Sequence, residues 1–275
     1  MVRRKFIIGS EWIYYKLYTG PKTIESILIS LYPKIYSLLS KKYVDSFHFV
    51  RFTDPNYHIR LRLHCPNKEN IGTVLITIGT ALQKYVDNYI ISKIQIDVYN
   101  RELERYGCDT MEIIEKFFYR DSDFVIKLLK KMDGYDTDRW KVSMKFINMI
   151  LDYNNYSLDE KILFTETNMK GYYKEIFGER KEPLKCLNRQ YRLKRNEINM
   201  ILKDYNSHVV KTIASLLAQF PFASLKNLND GVLASLIHMH VNRMFRTKQR
   251  TVELVLYYYL HKYLLSERAQ LKYHT

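Results

Sequence analysis

The chain has 275 residues, of which 47% are hydrophobic and 14% aromatic, a composition that supports a sizeable core and excludes an intrinsically disordered chain. Its 44 Lys and Arg exceed its 29 Asp and Glu, and the net charge of +15 favours an anionic partner such as RNA, a membrane surface, an acidic peptide or a carboxylate-bearing substrate. No apolar run approaches the roughly 18 residues of a membrane span, and no signal-peptide pattern opens the chain, so we expect a cytoplasmic protein without membrane insertion.

The first hundred residues predict a small sheet with two helices. Alternating side chains indicate strands, and apolar residues three and four apart indicate helices. Pro33 is expected to kink or divide the first helix, and Asp54-Pro55-Asn56 is typical of a turn between two strands. The order is β-α-β-β-α-β, the ferredoxin-like arrangement of an antiparallel sheet. The predicted strands are residues 13–18, 47–53, 57–65 and 91–99, and the predicted helices are residues 22–40 and 69–89.

After Gly107 the pattern becomes almost entirely helical. Residues 181–187, which include Pro183, are expected to form an exposed loop. No Gly/Ser-rich linker separates the two parts. We therefore predict an α+β fold in which residues 1–275 are a single domain, with a ferredoxin-like part (1–108) packed against an all-helical part (109–275). The predicted helices of the second part are residues 110–118, 122–132, 139–153, 158–177, 189–206, 208–220, 230–245 and 251–266.

The sequence lacks the common metal and cofactor motifs. Cys65, Cys108 and Cys186 are far apart and form no CxxC pair, which argues against a disulfide framework and against a thiolate metal site. There is no HExxH motif, EF-hand loop, dinucleotide-binding glycine pattern or phosphate-binding loop. We predict neither a metal nor a cofactor.

One predicted strand carries polar residues at every second position. Successive side chains of a strand point to opposite faces of a sheet, so His58, Arg60, Arg62 and His64 share one face and the apolar residues between them share the other. A solvated outer face produces this pattern. A site that holds a carboxylate or phosphate with two guanidinium groups produces it equally.

Two further segments carry candidate residues. Arg105 lies in the mixed-charge segment 101–107, which is either a surface connection held by local ion pairs or a segment that projects Arg105 beside the arginine-bearing strand. His238 and Asn242 are four residues apart, so they share one face of a predicted helix that is otherwise apolar. The histidine is either a hydrogen-bonded core residue or an acid/base group suited to neutral pH.

The order of these segments resembles a known family. The segments are WIYYKLY at 12–18, FHFVRFTDP at 47–55, HIRLR at 58–62, ERYG at 104–107 and HMHVNR at 238–243. Together they resemble the carboxy-terminal elimination domain of class I lantibiotic dehydratases, also called the thiopeptide-type bacteriocin biosynthesis domain, from about residue 12 to about residue 263. The hairpin motif and the helix motif are specific in combination.

The resemblance implies a lyase. In the family, a separate glutamylation domain uses glutamyl-tRNA to esterify Ser and Thr of a ribosomally made precursor peptide. The elimination domain then expels glutamate to leave dehydroalanine or dehydrobutyrine. A chain of this length is expected to hold only the elimination module and to work in a split system with a separate tRNA-dependent glutamylation protein. A homodimer is a further expected partner, with the apolar last helix as its contact surface.

The resemblance also implies the roles of particular residues. The family's elimination site uses hairpin arginines, an arginine of the ERYG-like segment and a helix histidine, which match Arg60, Arg62, Arg105 and His238 here. The arginines would bind the glutamyl carboxylate and stabilise developing charge, and the histidine would act in proton transfer, as acid or as base. These roles require all four side chains to gather around one anion-sized hollow. The additional substrate-binding candidates are Arg51, His58, Asn242 and Arg243.

Two other functions remain open. Relatives of this domain in thiopeptide pathways join two dehydroalanines in a formal cycloaddition that builds a pyridine ring. Such an enzyme holds no glutamate, so the presence of the whole arginine set favours elimination. The other alternative is a non-catalytic module that binds the leader peptide or tRNA, which the net charge of +15 would suit.

Overall fold

The four strands predicted for the first hundred residues pair in one antiparallel sheet in the computed structural model, which describes residues 2–132, 138–218 and 229–273. The sheet order is β3-β4-β2-β5, so β4 has a partner on both sides. A second sheet pairs β1 with β6. The strands are β1 (Lys5–Phe6), β2 (Trp12–Tyr18), β3 (Ser46–Thr53), β4 (Tyr57–His64), β5 (Lys93–Ile96) and β6 (Tyr99–Asn100).

Helices make up most of the remaining described residues. Together with the sheets they confirm the α+β class. A short 3-10 helix (Lys68–Asn70) precedes the second helix. The helices are α1 (Thr23–Ser40), α2 (Ile71–Asp87), α3 (Leu103–Tyr106), α4 (Met111–Lys131), α5 (Arg139–Tyr153), α6 (Leu158–Phe177), α7 (Glu182–Lys203), α8 (His208–Ala218), α9 (Asp230–Met244) and α10 (Gln249–Tyr273).

The chain forms two compact units, Met1–Gly134 and Tyr135–Thr275. The first contains both sheets and helices α1 to α4, and the second contains α5 to α10. The helical stretch after residue 108 is thus shared between the units, because α4 packs against β3. The assignment of residues 1–275 to a single domain stays a prediction.

Burial of one face fixes the sheet of the first unit. Ile59, Leu61 and Leu63 of β4 are completely buried, and each contributes roughly 1.5 to 3 kcal/mol relative to an exposed side chain. On β3, Phe47 lies on the same face and contacts the rings of Tyr32 in α1 and Tyr119 in α4. This face is therefore covered by helices, and the alternate residues of β4 must point the other way.

Two predicted interruptions of helices are absent. Pro33 lies inside α1 without dividing it. The predicted helices 110–118 and 122–132 form one continuous helix, α4, in which Asp121 and Ser122 at the predicted break are buried. Ser122 accepts a hydrogen bond from the backbone N–H of Phe49 at 3.2 Å, so it satisfies a donor of β3, which lies at the edge of the sheet.

Three boundaries also differ from the prediction. The expected loop at 181–187 is helical from Glu182, with Pro183 in the first turn, where its missing N–H costs nothing. The predicted fourth strand, residues 91–99, is divided between β5 and β6. The last helix continues to Tyr273 instead of ending at Ser266. The final two residues of the predicted helix 208–220 lie outside the described residues.

The apolar side chains of the last helix form the core of the second unit. Leu256, Tyr257 and Leu260 are completely buried, and α10 packs extensively along α6. These apolar residues are covered within the unit. A homodimer with the last helix as its contact surface stays a prediction. None of the described helices has the length and apolar character that crossing a membrane requires.

A buried ion pair joins helix and sheet in the first unit. Arg51 of β3 donates to Glu25 of α1 at 2.7 Å, and both side chains are almost fully buried. Removal of one partner of a buried pair leaves an uncompensated charge.

We predict that Arg51→Met lowers the free energy of unfolding by about 3 to 5 kcal/mol, because the Glu25 carboxylate stays buried without its cation. Lys127→Met is the matched control, since Lys127 pairs with Asp123 on an exposed helix surface and should cost less than about 1 kcal/mol. Urea unfolding measures both. Equal losses in the two variants would contradict the prediction.

Candidate active site

Antiparallel pairing places basic and aromatic side chains of three strands on one face of the main sheet. We call this the arginine face; it lies opposite the face that α1 and α4 cover. Residues directly opposite each other on paired strands point to the same side. The arginine face carries Phe52, Val50 and His48 of β3, His58, Arg60, Arg62 and His64 of β4, and Tyr18, Lys16, Tyr14 and Trp12 of β2.

Arg62 is held by two aromatic rings. Its guanidinium lies 4.8 Å from the ring centre of Tyr14 and 4.4 Å from that of Tyr99. It also donates from Nη1 to Nε2 of His48 at 3.1 Å. Contacts of this kind contribute about 0.5 to 2 kcal/mol each and fix the side chain in one orientation. Arg62 Nε is buried and donates no hydrogen bond among the described residues.

Arg60 lies next to Arg62 on the same face. Its guanidinium stacks on the ring of Phe52 at 3.3 Å, and its Nε donates to Nε2 of His58 at 3.5 Å. Burial lowers the pKa of Arg60, and the positive charge of Arg62 lowers it further. Directly opposite on β2, Lys16 forms an ion pair with Asp97. The arginine face thus concentrates cations, of which only Lys16 has a carboxylate in direct contact.

His58 is a neutral imidazole at this site near pH 7. Its Nδ1 donates to the backbone oxygen of Asn56 at 2.9 Å, which leaves Nε2 as the acceptor for Arg60. Burial lowers the pKa of His58 below its ordinary value, and the charges of Arg60 and Lys16 act in the same direction. The residue therefore orients Arg60 without adding a charge.

Arg105 belongs to the first unit and forms an ion pair with Glu102. It lies in α3, which ends at Gly107, a residue with φ of +79°. Arg105 Nε is 3.4 Å from Oε2 of Glu102. The charge of Glu102 also raises the pKa of Arg60, against the effect of burial. Glu102 is therefore within electrostatic range of both arginines.

His238 lies in the second unit beside a buried carboxylate. Its Nδ1 is 2.9 Å from Oε2 of Glu253, whose side chain is completely buried. The hydroxyl of Tyr172 donates to the other oxygen, Oε1, at 2.8 Å. A carboxylate accepts hydrogen bonds, so Nδ1 of a neutral His238 carries the proton and Nε2 has a free lone pair. The side chain of His238 is 22% exposed, so this nitrogen can meet a substrate.

Two of the proposed substrate-binding residues are internal. Arg51 points toward the helices because it shares a face of β3 with Phe47 and Phe49, and it pairs with Glu25. Arg243 is completely buried, since five residues along a helix turn its side chain well away from the face of His238. A substrate-binding role for the two arginines stays a prediction.

The structure brings together part of the predicted site within one unit. Arg60, Arg62 and His58 share the arginine face, and Arg105 pairs with Glu102, whose charge acts on Arg60. His238 and Asn242 lie on α9 of the other unit, where Asn242 is half-buried. Among the described residues, no group of three or more His, Cys, Asp or Glu is arranged to hold a metal ion.

Sequence reasoning missed the residues that support these side chains. The missed residues are Lys16, Tyr14, Tyr99, Glu102, Tyr172 and Glu253. Lys16 and Tyr14 alternate along β2 as the arginines do along β4, which is a signal that was available. Glu253 comes from a different helix, and nothing in the spacing of the chain indicates its contact with His238.

The candidate residues of the two units suit different kinds of chemistry. Adjacent guanidinium groups bind carboxylates with strong, directional hydrogen bonds. An imidazole held by a carboxylate accepts or donates a proton near neutral pH. The arginines of the first unit therefore suit anion binding and His238 of the second suits proton transfer, and both roles stay predictions.

Comparisons with known proteins show which family the chain resembles. A family model described as the carboxy-terminal region of lantibiotic biosynthesis dehydratases matches residues 12–264. Nisin biosynthesis protein NisB of Lactococcus lactis subsp. lactis is 30% identical over 279 residues, covering 96% of this chain and 26% of NisB. Subtilin biosynthesis protein SpaB of Bacillus subtilis is 24% identical, covering 90% of this chain and 25% of SpaB. The chain thus spans about a quarter of the length of these curated relatives.

Solved structures share the fold at low sequence identity. The tRNA-dependent lantibiotic dehydratase MibB of Microbispora sp. 107891 has a TM-score of 0.65 at 17% identity, covering 95% of this chain and 29% of MibB. TsrL has a TM-score of 0.71 at 12% identity, covering 94% of this chain and 95% of its own. The pyridine synthase TbtD from thiomuracin biosynthesis has a TM-score of 0.60 at 11% identity, covering 92% and 98%.

The lowered pKa of His58 predicts how stability depends on pH. The unfolded chain takes up a proton near pH 6.5, whereas the folded protein does so only at lower pH. Below about 6.5 the unfolded state therefore binds more protons, so the free energy of unfolding falls as pH drops toward and through the lowered value. His261, whose pKa is lowered by burial, acts in the same direction.

We expect His58→Gln to flatten this slope between about pH 7 and pH 5. Urea unfolding at a series of pH values measures it. If the variant and the unaltered protein have the same slope, the buried neutral state assigned to His58 is wrong.

Proposed function

Because the chain belongs to the lantibiotic biosynthesis dehydratase C-terminal family, we propose that it eliminates glutamate from glutamylated Ser and Thr side chains of a ribosomally made precursor peptide. The products are dehydroalanine or dehydrobutyrine in the peptide, and free glutamate. In this proposal the protein is a lyase.

One observation carries the proposal: Arg60 and Arg62 lie side by side on the arginine face, each held by aromatic and histidine contacts. Two fixed guanidinium groups suit a carboxylate such as the one in the side chain of a glutamyl group. We assign both to binding that carboxylate. Arg105, nearly half exposed and paired at 3.4 Å with Glu102, adds positive charge for the departing carboxylate.

The elimination breaks two bonds and forms one. A base removes the proton on Cα, the Cβ–O bond breaks with its electron pair going to the departing glutamate carboxylate, and a Cα–Cβ double bond forms. Negative charge therefore develops on the peptide carbonyl and on the leaving group. Fixed cations stabilise such charge by about 3 to 4 kcal/mol in comparable sites.

We assign proton transfer to His238, with Nε2 as the base. Glu253 accepts the Nδ1 proton at 2.9 Å, so it selects the tautomer with a basic Nε2 and stabilises the imidazolium that forms. Tyr172 holds Glu253 from the other side at 2.8 Å. Glu253 and Tyr172 are positioning residues, since they act through His238.

The proposal extends to the fold and the partners. The strand order β3-β4-β2-β5 with α1 and α2 as connections supports a ferredoxin-like description of the main sheet. The glutamylated peptide has to come from a tRNA-dependent reaction, and we propose that a separate protein carries it out in the cytoplasm. This protein and the precursor peptide are the proposed partners.

A second candidate function is pyridine formation. The pyridine synthase TbtD shares the fold with a TM-score of 0.60, so the fold is compatible with this alternative. Pyridine formation needs no residue that holds a glutamyl carboxylate. Arg60 and Arg62, in contrast, are arranged to hold one. A binding module for leader peptide or tRNA is the remaining alternative.

The direct test offers the purified protein a chemically glutamylated peptide and follows it by mass spectrometry. Elimination predicts a dehydrated peptide and free glutamate. A peptide that is bound without change supports the binding module. Conversion of a bis-dehydroalanine peptide to a pyridine, with no action on the glutamylated one, supports the second candidate.

We predict that Arg60→Ala and His238→Ala each lower kcat/KM for elimination by about 100- to 1,000-fold, because each removes a group that acts on the transition state. Glutamylated peptide should accumulate when the glutamylation partner is supplied. Arg4→Ala is the control, since Arg4 pairs with Glu104 at an exposed site. Full dehydration by both variants would refute the assignment.

We expect Glu253→Gln to lower kcat by roughly 10- to 100-fold, as removal of a supporting partner typically does, with a smaller change in KM. Without the carboxylate, the His238 tautomer is no longer selected and the imidazolium loses its counter-charge. Glu175→Gln is the matched control, because Glu175 is exposed and pairs with Arg250. A kcat equal to that of the control would show that Glu253 only stabilises the fold.

A further inference from the structure

Glu102 is an acidic residue at the border of a cationic site. It is the residue before α3, and its side chain is 62% exposed. Its side chain pairs with Arg105, whose Nε approaches Oε2 at 3.4 Å. Its other oxygen, Oε1, is available to a ligand.

The chain around Glu102 is anchored on the arginine face. Three residues earlier, Tyr99 places its ring 4.4 Å from the guanidinium of Arg62 and donates from its hydroxyl to Glu115 at 2.7 Å. Arg101 is fixed by two hydrogen bonds to Glu115, at 2.6 and 2.8 Å. Glu102 therefore follows a rigid segment, and its charge acts on Arg60.

Asp97, a carboxylate whose charge interacts with that of Arg60, already has two partners. Its Oδ2 pairs with Lys16, and its Oδ1 accepts the backbone N–H of Val98 at 2.7 Å. The adjacent Lys16 ammonium would repel a second cation. A ligand cation on this side of the site is therefore better placed at Glu102.

The proposed substrate carries both charges. A glutamyl group that comes from glutamyl-tRNA is attached through its α-carboxyl, so it keeps a free α-ammonium and a side-chain carboxylate. The site has the same pair of opposite charges, with guanidinium groups at Arg60 and Arg62 and a carboxylate at Glu102.

We propose that Glu102 binds the α-ammonium of the glutamyl group while Arg60 and Arg62 bind its side-chain carboxylate, so that the site selects a zwitterionic acyl group. This inference rests on the proposed function and adds to it the recognition of the α-ammonium. Acyl groups that lack the amine, such as glutaryl, lose this contact. Glu102 is then a specificity residue that touches the departing group.

The test uses two peptides that differ only in the acyl group on one Ser, glutamyl in one and glutaryl in the other. Elimination is followed by mass spectrometry for the unaltered protein, for Glu102→Gln and for Glu104→Gln. Glu104 is the matched control, because it lies two residues away in α3, is exposed and pairs with Arg4. The amine also makes the departing carboxylate a better leaving group, so the diagnostic quantity is the change in the glutamyl-to-glutaryl ratio of kcat/KM between proteins.

We expect Glu102→Gln to reduce this ratio on the order of 10- to 100-fold, through loss of activity on the glutamyl peptide with little change on the glutaryl peptide. Glu104→Gln should leave the ratio unchanged. An unchanged ratio in Glu102→Gln, including an equal loss on both peptides, overturns the inference and leaves the proposed function intact. No elimination from either peptide by the unaltered protein overturns the proposed function as well.

Discussion

The side-chain alternation of β4 is the constraint on which the site depends. Ile59, Leu61 and Leu63 are completely buried, and β4 is hydrogen-bonded to β3 and β2 along its length. A shift of one residue in either register would place these side chains on the wrong face of the sheet. The same packing that stabilises the sheet therefore fixes Arg60 and Arg62 next to each other on the opposite face.

Burying part of a cationic side chain costs desolvation free energy. The contacts that offset this cost on the arginine face leave the cations available to an anion. Tyr14, Tyr99 and Phe52 stack on the guanidinium groups, and histidines accept hydrogen bonds from them. None of these neighbours is a carboxylate that would neutralise the arginine directly. In the second unit the neighbour is charged, because the buried carboxylate of Glu253 holds His238.

The sequence predicted the parts of the fold and site that depend on local pattern. Alternation along β4 identified the face that carries Arg60 and Arg62, and helical spacing placed His238 correctly on α9. The rest depends on contacts between distant residues. Residues 119–121, predicted to separate two helices, lie within α4, Arg51 pairs with Glu25 of α1, and Glu253 reaches His238 from another helix.

The most direct measurement uses a peptide with one glutamylated Ser that carries deuterium at Cα. The account predicts one dehydroalanine and one free glutamate per peptide, loss of the deuterium, and a slower reaction than with hydrogen at Cα. Return of unmodified Ser with the deuterium retained would show hydrolysis of the ester and would contradict the account.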